Sequence, residues 1–64
     1  MIRINGEKVN ADGKNISAIL ADMGYSEKRV AVELNEHIVP KVKYDETVVC
    51  DGDNLEFVHF VGGG

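Results

Sequence analysis

Side chains are absent from the last three positions of the sequence, Gly62, Gly63 and Gly64. A tail that merely frayed would be served equally well by serine, asparagine, lysine or glutamate. Glycine takes nearly any backbone angle and slips through a channel too narrow for a Cβ atom, and three of them carry the Gly64 carboxylate about 10 Å beyond Val61. A carboxylate is a poor electrophile, but adenylation by ATP makes it a mixed anhydride open to attack by sulfur or nitrogen. The candidate reactive group is therefore the carboxylate of Gly64, with Gly62 and Gly63 as its tether and the ATP site on a partner enzyme.

The side chains offer less. No Ser-His-Asp order, no paired Cys/His spacing and no phosphate-binding Gly-Lys-Ser/Thr pattern occurs, so the chain is not expected to be an enzyme. Asp51 and Asp53 flank Gly52, but the glycine is misplaced for an EF-hand loop and no glutamate closes the site, which leaves a turn. His37 and His59 fall on different strands and are not expected to bind metal, with His59 near a surface edge. Cys50 is the only cysteine, which excludes an intramolecular disulfide and a multi-cysteine metal site. With no adjacent Lys, Arg or His to lower its pKa, it is expected to be buried or half-buried as a packing residue rather than a nucleophile. Lys41 and Lys43, near Tyr44, read as solvated charges.

A chain of 64 residues holds one domain at most, close to the smallest size that folds around a core without a staple. At 44% hydrophobic and 28% charged residues it has the composition of a soluble globule. A net charge of −4, from 7 basic and 11 acidic residues, disfavours nucleic acid and anionic membranes and favours a basic protein partner. Met1 runs directly into a strand pattern with no signal-peptide character, no run approaches spanning length, and the lone cysteine suits the reducing cytoplasm.

The elements that must position the tail are legible from spacing. Ile2 and Ile4 alternate with Arg3, Asn5-Gly6 suits a two-residue turn, and Val9 and Ala11 resume the alternation, predicting a hairpin. Asn15 is placed to cap a helix whose apolar face is Ile16, Ile19, Leu20 and Met23, and Gly24 to end it. Val30, Val32 and Leu34, a turn at Asn35-Glu36, and His37 to Val39 predict a second hairpin, which Pro40 closes. Lys41 to Cys50 reads as a connector with one short helical turn. Asp51-Gly52-Asp53-Asn54 then turns the chain into its longest β-prone run, Leu55 to Val61.

Two hairpins, one helix and a final strand make a two-layer α+β domain with a mixed sheet of four to five strands, one face covered by the helix. Leu55, Phe57, His59 and Val61 share one face of the last strand, and Glu56, Val58 and Phe60 share the other. Leu55 and Phe57 are assigned inward because Glu56 should be wet. That leaves Val58 and Phe60 on the open face, where apolar residues beside the tail form a candidate partner-binding patch.

This order of elements, ending in glycines, resembles the β-grasp sulfur carriers and ubiquitin. The resemblance is close to the ThiS family: Ala31-Val32-Glu33-Leu34-Asn35 leading to Ile38-Val39-Pro40, then Asp51-Gly52-Asp53, then Val58-His59-Phe60-Val61-Gly62-Gly63-Gly64. It implies a β-grasp domain over 1–61 and a flexible glycine tail over 62–64. It also implies that a ThiF-type adenylyltransferase activates Gly64, that a cysteine desulfurase supplies sulfur for a thiocarboxylate, and that a ThiG-type thiazole synthase accepts it for the thiazole of thiamine. No cofactor is bound; ATP is used by the partner. A carrier resembling the small subunit of molybdopterin synthase and a ubiquitin-like modifier conjugated through Gly64 are the alternatives.

Overall fold

The computed structural model describes residues 1–59. The expectations for Phe60, Val61 and the glycine tail, and the boundary between 61 and 62, lie outside the described residues. Strands β1 (Ile2–Ile4) and β2 (Glu7–Val9) form the first hairpin, followed by helix α1 (Ile16–Met23), a 3-10 turn (Glu27–Arg29), the hairpin of β3 (Val30–Leu34) and β4 (His37–Val39), a second 3-10 turn (Lys41–Lys43) and strand β5 (Asn54–His59). The sheet has the order β2-β1-β5-β3-β4. β5 is parallel to β1 and antiparallel to β3, so the last strand in sequence is the central strand in space.

Local signals account for the elements. Asn5 and Gly6 both adopt positive φ (50° and 86°), the conformation whose twist matches the flanking strands of a two-residue hairpin. The Asn15 side chain accepts the Ala18 amide at 2.7 Å, and Gly24 (φ 79°) closes the helix with its amide on the Ala21 and Leu20 carbonyls. Between these caps Ile16, Ile19 and Leu20 are buried against Ile2, Ile4, Val30, Val32, Leu55 and Phe57, with Tyr44 and Val49 from the connector completing the core.

Met23, expected on the apolar helix face, is instead 44% exposed. The left-handed cap folds the chain back so that the Tyr25 amide reaches the Leu20 carbonyl, and the Tyr25 ring packs edge-on against Phe57, 5.9 Å between centroids. Tyr25 covers the core that Met23 leaves.

The connector carries a further correction. Lys41, read as a solvated charge, donates to the carbonyls of Glu27 (2.7 Å) and Val30 (3.0 Å) and lies beside the Tyr44 ring. The Tyr44 hydroxyl also donates to the Val30 carbonyl at 3.0 Å, and burial pushes the hydroxyl above its ordinary pKa. These three bonds pin the second 3-10 turn to the start of β3. Lys43 conforms to the expectation, forming a surface ion pair with Glu46.

Among the described residues no helix is long and apolar enough to cross a membrane.

Candidate functional site at the end of the central strand

The glycines follow β5 in the chain, so the bonds that hold β5 set the base from which the tail departs. On one side β1 supplies backbone bonds: the Arg3 amide to the Asp53 carbonyl and the Asn5 amide to the Leu55 carbonyl, each 2.9 Å. There β1 turns away. The Asn5 side chain then takes the next position, its Oδ1 accepting the Phe57 amide at 2.9 Å and its Nδ2 donating, at a longer 3.4 Å, to the Phe57 carbonyl.

The other side is arranged in the same way. β3 pairs with β5 from Leu34 opposite Leu55 to Val30 opposite His59. The β3-β4 turn also has positive φ at both central residues, Asn35 (50°) and Glu36 (71°). Asn35 Oδ1 accepts the Asn54 amide at 2.9 Å, and its Nδ2 donates to Asp53 at 3.0 Å. Each hairpin thus sends an asparagine from its turn to β5, Asn35 to the beginning and Asn5 near the end. Only the turn-forming tendency of these asparagines was legible in the sequence.

Alternation places Leu55 (fully buried) and Phe57 (7% exposed) under the helix and leaves Val58 52% exposed on the open face. Val58 stands opposite Ala31, Glu56 opposite Glu33, and Glu33 opposite Ile38, so these residues share the open face. Ile38, which is 77% exposed, was not singled out in the sequence. His59 lies on the helix side with its ring 5.5 Å from Tyr25. It reaches solvent at the end of a central strand, not along the edge of the sheet.

The remaining candidates are elsewhere. Cys50 is exposed, against the expectation of burial, because the alternation of the connector gives Val49 to the core and turns Cys50 outward. It precedes the turn into β5, about 16 Å from the strand's far end by the rise of an extended chain. The nearby Asp53 carboxylate holds its thiol above the ordinary value. Asp53 is itself held below the usual carboxylate range by the Cys50 amide and then by Asn35. Asp51 is lowered by the Met1 ammonium, with which it forms an ion pair. These contacts make Asp51-Gly52-Asp53 a fastened turn. His37 is opposite Leu34 and His59 opposite Val30, at the two ends of β3, and no cluster of metal-ligating side chains occurs among the described residues. A shallow cavity lined by Arg3, Lys8, Asp51 and Asp53 lies where β1 and β5 begin, at the other end of β5 from His59.

Comparison with known proteins identifies the architecture. The crystal structure of the thiamine biosynthesis protein ThiS from Geobacter metallireducens superposes with a TM-score of 0.79 at 34% identity, covering 98% of this chain and 97% of that one. The fold is the β-grasp. The sulfur carrier protein ThiS of Bacillus subtilis is 42% identical over 66 residues, covering 100% of both chains. A thiazole synthase of Paramagnetospirillum magneticum is 47% identical over 62 residues, which are 95% of this chain and 19% of that protein. The chain thus spans about a fifth of the length of the two thiazole synthases it matches, at 19% and 20%. The family model of ThiS matches residues 2–64, through all three glycines, and the chain belongs to the ThiS family.

Proposed function

We propose that the protein is a sulfur carrier of thiamine biosynthesis, a co-substrate whose reactive group is the carboxylate of Gly64. The observation that carries this reading is the end-to-end match to a sulfur carrier protein of Bacillus subtilis, 100% of each chain, with the glycines following the central strand of the sheet. A carboxylate oxygen of Gly64 attacks the α-phosphorus of ATP at a ThiF-type adenylyltransferase and expels pyrophosphate. The outer sulfur of a cysteine desulfurase persulfide then displaces AMP to form an acyl persulfide. A thiol such as free cysteine attacks the desulfurase-side sulfur, breaks the S–S bond, supplies the two electrons as it becomes a disulfide with the desulfurase cysteine, and releases the thiocarboxylate. Sulfur is more polarisable than oxygen, so this group delivers sulfur to carbon without releasing free sulfide.

A ThiG-type thiazole synthase is the acceptor in this reading. Similarity to a segment of two proteins named thiazole synthase supports that pairing. Gly62 and Gly63 thread the carboxylate into each partner, while Val58, on the open face, and Phe60 seat the domain. No cofactor resides on the carrier, ATP remains the adenylating enzyme's substrate, and the reaction belongs in the cytoplasm.

Intact mass spectrometry after incubation with ATP, the adenylyltransferase, the desulfurase and cysteine tests the reading. Replacement of one oxygen by sulfur is expected. An unchanged mass overturns it, and a ladder of protein adducts favours a ubiquitin-like modifier instead.

A further inference from the structure

We infer that Asn5 is a positioning residue for the chemistry at Gly64, an inference that rests on the sulfur-carrier reading. Beyond Phe57 the described strand continues through Val58 and His59, which pair with β3. On the β1 side the last backbone contact to β5 is at Leu55, and the next main-chain pair, the amide and carbonyl of Phe57, is held by the Asn5 carboxamide alone. The geometry of β5 makes this side decisive. Asn54, Glu56 and Val58 direct their backbone groups toward β3, as the Asn35 amide on the Asn54 carbonyl shows, while Leu55, Phe57 and His59 direct theirs toward β1. After Phe57 no partner for the His59 amide or carbonyl occurs on the β1 side among the described residues. Among the described residues, Asn5 therefore makes the last bond to the central strand on its β1 side.

Once the domain is seated on an enzyme, delivery of the carboxylate is an intramolecular event whose probability falls as more chain is free to wander. Releasing Phe57 leaves β5 beyond Leu55 held on the β3 side alone, through His59 opposite Val30, so the end of the strand swings about a one-sided support and the direction in which the chain leaves it is less fixed. Seating on the enzyme uses the open face of the sheet and is untouched. The inference predicts a loss in turnover with little change in apparent affinity.

Asn35 provides the matched control. It has the same φ of 50°, the same place in a two-residue turn and the same kind of amide bond to β5, but at Asn54, the end remote from the tail. Asn5→Gly and Asn35→Gly each keep the backbone conformation of the turn and delete the carboxamide. Asn5→Asp restores the oxygen that accepts the Phe57 amide while losing the longer contact.

The experiment measures ATP–pyrophosphate exchange by the adenylyltransferase with each full-length variant as co-substrate, alongside amide hydrogen exchange by NMR. Asn5→Gly is expected to speed exchange of the Phe57 amide and lower kcat about tenfold, with KM for the carrier within about twofold of wild type. Asn5→Asp should recover most of the kcat, and Asn35→Gly should keep wild-type kcat at a comparable loss of Tm. Equal kcat for wild type and Asn5→Gly, or equal losses for Asn5→Gly and Asn35→Gly, overturns the positioning role while leaving the carrier reading intact. A wild-type chain that supports no exchange overturns both, and unaltered Phe57 amide exchange in Asn5→Gly overturns the structural premise independently of activity.

Discussion

Cys50 and Asp53 control each other across the turn into β5. The thiol is exposed yet held protonated by the facing carboxylate, so exposure alone misstates its reactivity. Alkylation of Cys50 by iodoacetamide at neutral pH should be slower than for an unstructured cysteine peptide and should accelerate in Asp53→Asn; equal rates in the two proteins would remove Asp53 as the cause. The same carboxylate links folding to pH. Its pKa is lowered from 3.8 in the fold, so its stabilising contribution is present above that value and disappears as pH falls through the lowered one. Thermal unfolding followed downward from neutral pH should show wild type losing stability in that acid window more steeply than Asp53→Asn. The expectation from sequence that Cys50 is not an activated nucleophile agrees with its raised thiol, whereas its expected burial does not, and the cause of the raised value was not sought among acids. The group that matters is an acid three positions away, brought into contact by the turn.

The elements depend on a few local devices, and two of them make sharp tests. Glu36 occupies a left-handed conformation (φ 71°) that glycine reaches without strain. Glu36→Gly should therefore stabilise the protein by about 0.5–1 kcal/mol, the relief of left-handed strain exceeding the added flexibility of the unfolded chain. A fall in Tm would show that the Glu36 side chain contributes more than its strain costs. The connector is tied to β3 through the Val30 carbonyl, which receives both the Tyr44 hydroxyl and the Lys41 ammonium. Because Lys41 still satisfies that carbonyl, Tyr44→Phe should cost only about 0.5–1.5 kcal/mol in chemical denaturation, whereas Tyr44→Ala should cost about 3–5 kcal/mol by opening a cavity in the core. Both hairpins, the helix and its two caps follow from residue spacing and turn chemistry. The anchoring by Lys41 and Tyr44 does not, since its acceptor lies in another element.

For the whole molecule, the proposed function separates stability from delivery. The helix side holds the core, the open face is the one the proposed function gives to partners, and the strand that precedes the glycines runs through the middle of the sheet. Val58→Thr keeps a β-branched side chain on the open face, so it should change stability by less than about 0.5 kcal/mol. If the patch seats the adenylating enzyme, the same substitution should weaken that binding by about 1 kcal/mol, measurable by calorimetry. Unchanged affinity would remove Val58 from the interface. Adding one alanine after Gly64 should abolish adenylation without altering Tm, because the new carboxylate carries a Cβ and stands one residue too far along; normal ATP–pyrophosphate exchange by the extended protein would place the chemistry elsewhere.

Sequence alone determined which residues alternate, where glycine and asparagine allow the chain to reverse, and that the last positions carry no side chains, because each of these is settled within a few neighbouring residues. It therefore yielded the two hairpins, the capped helix, the inward assignment of Leu55 and Phe57, and the glycine tail as the place to look for chemistry. Only the tertiary structure decided that the last strand is the central one, that Asn5 and Asn35 bond to it near its two ends, that Tyr25 displaces Met23 from the core, and that Lys41 is bound while the Cys50 side chain is exposed. Those outcomes depend on hydrogen-bond partners up to 52 residues apart in the chain, as with Asn5 and Phe57. Their partners are chosen by packing the whole sheet against one helix, and no local spacing encodes that choice.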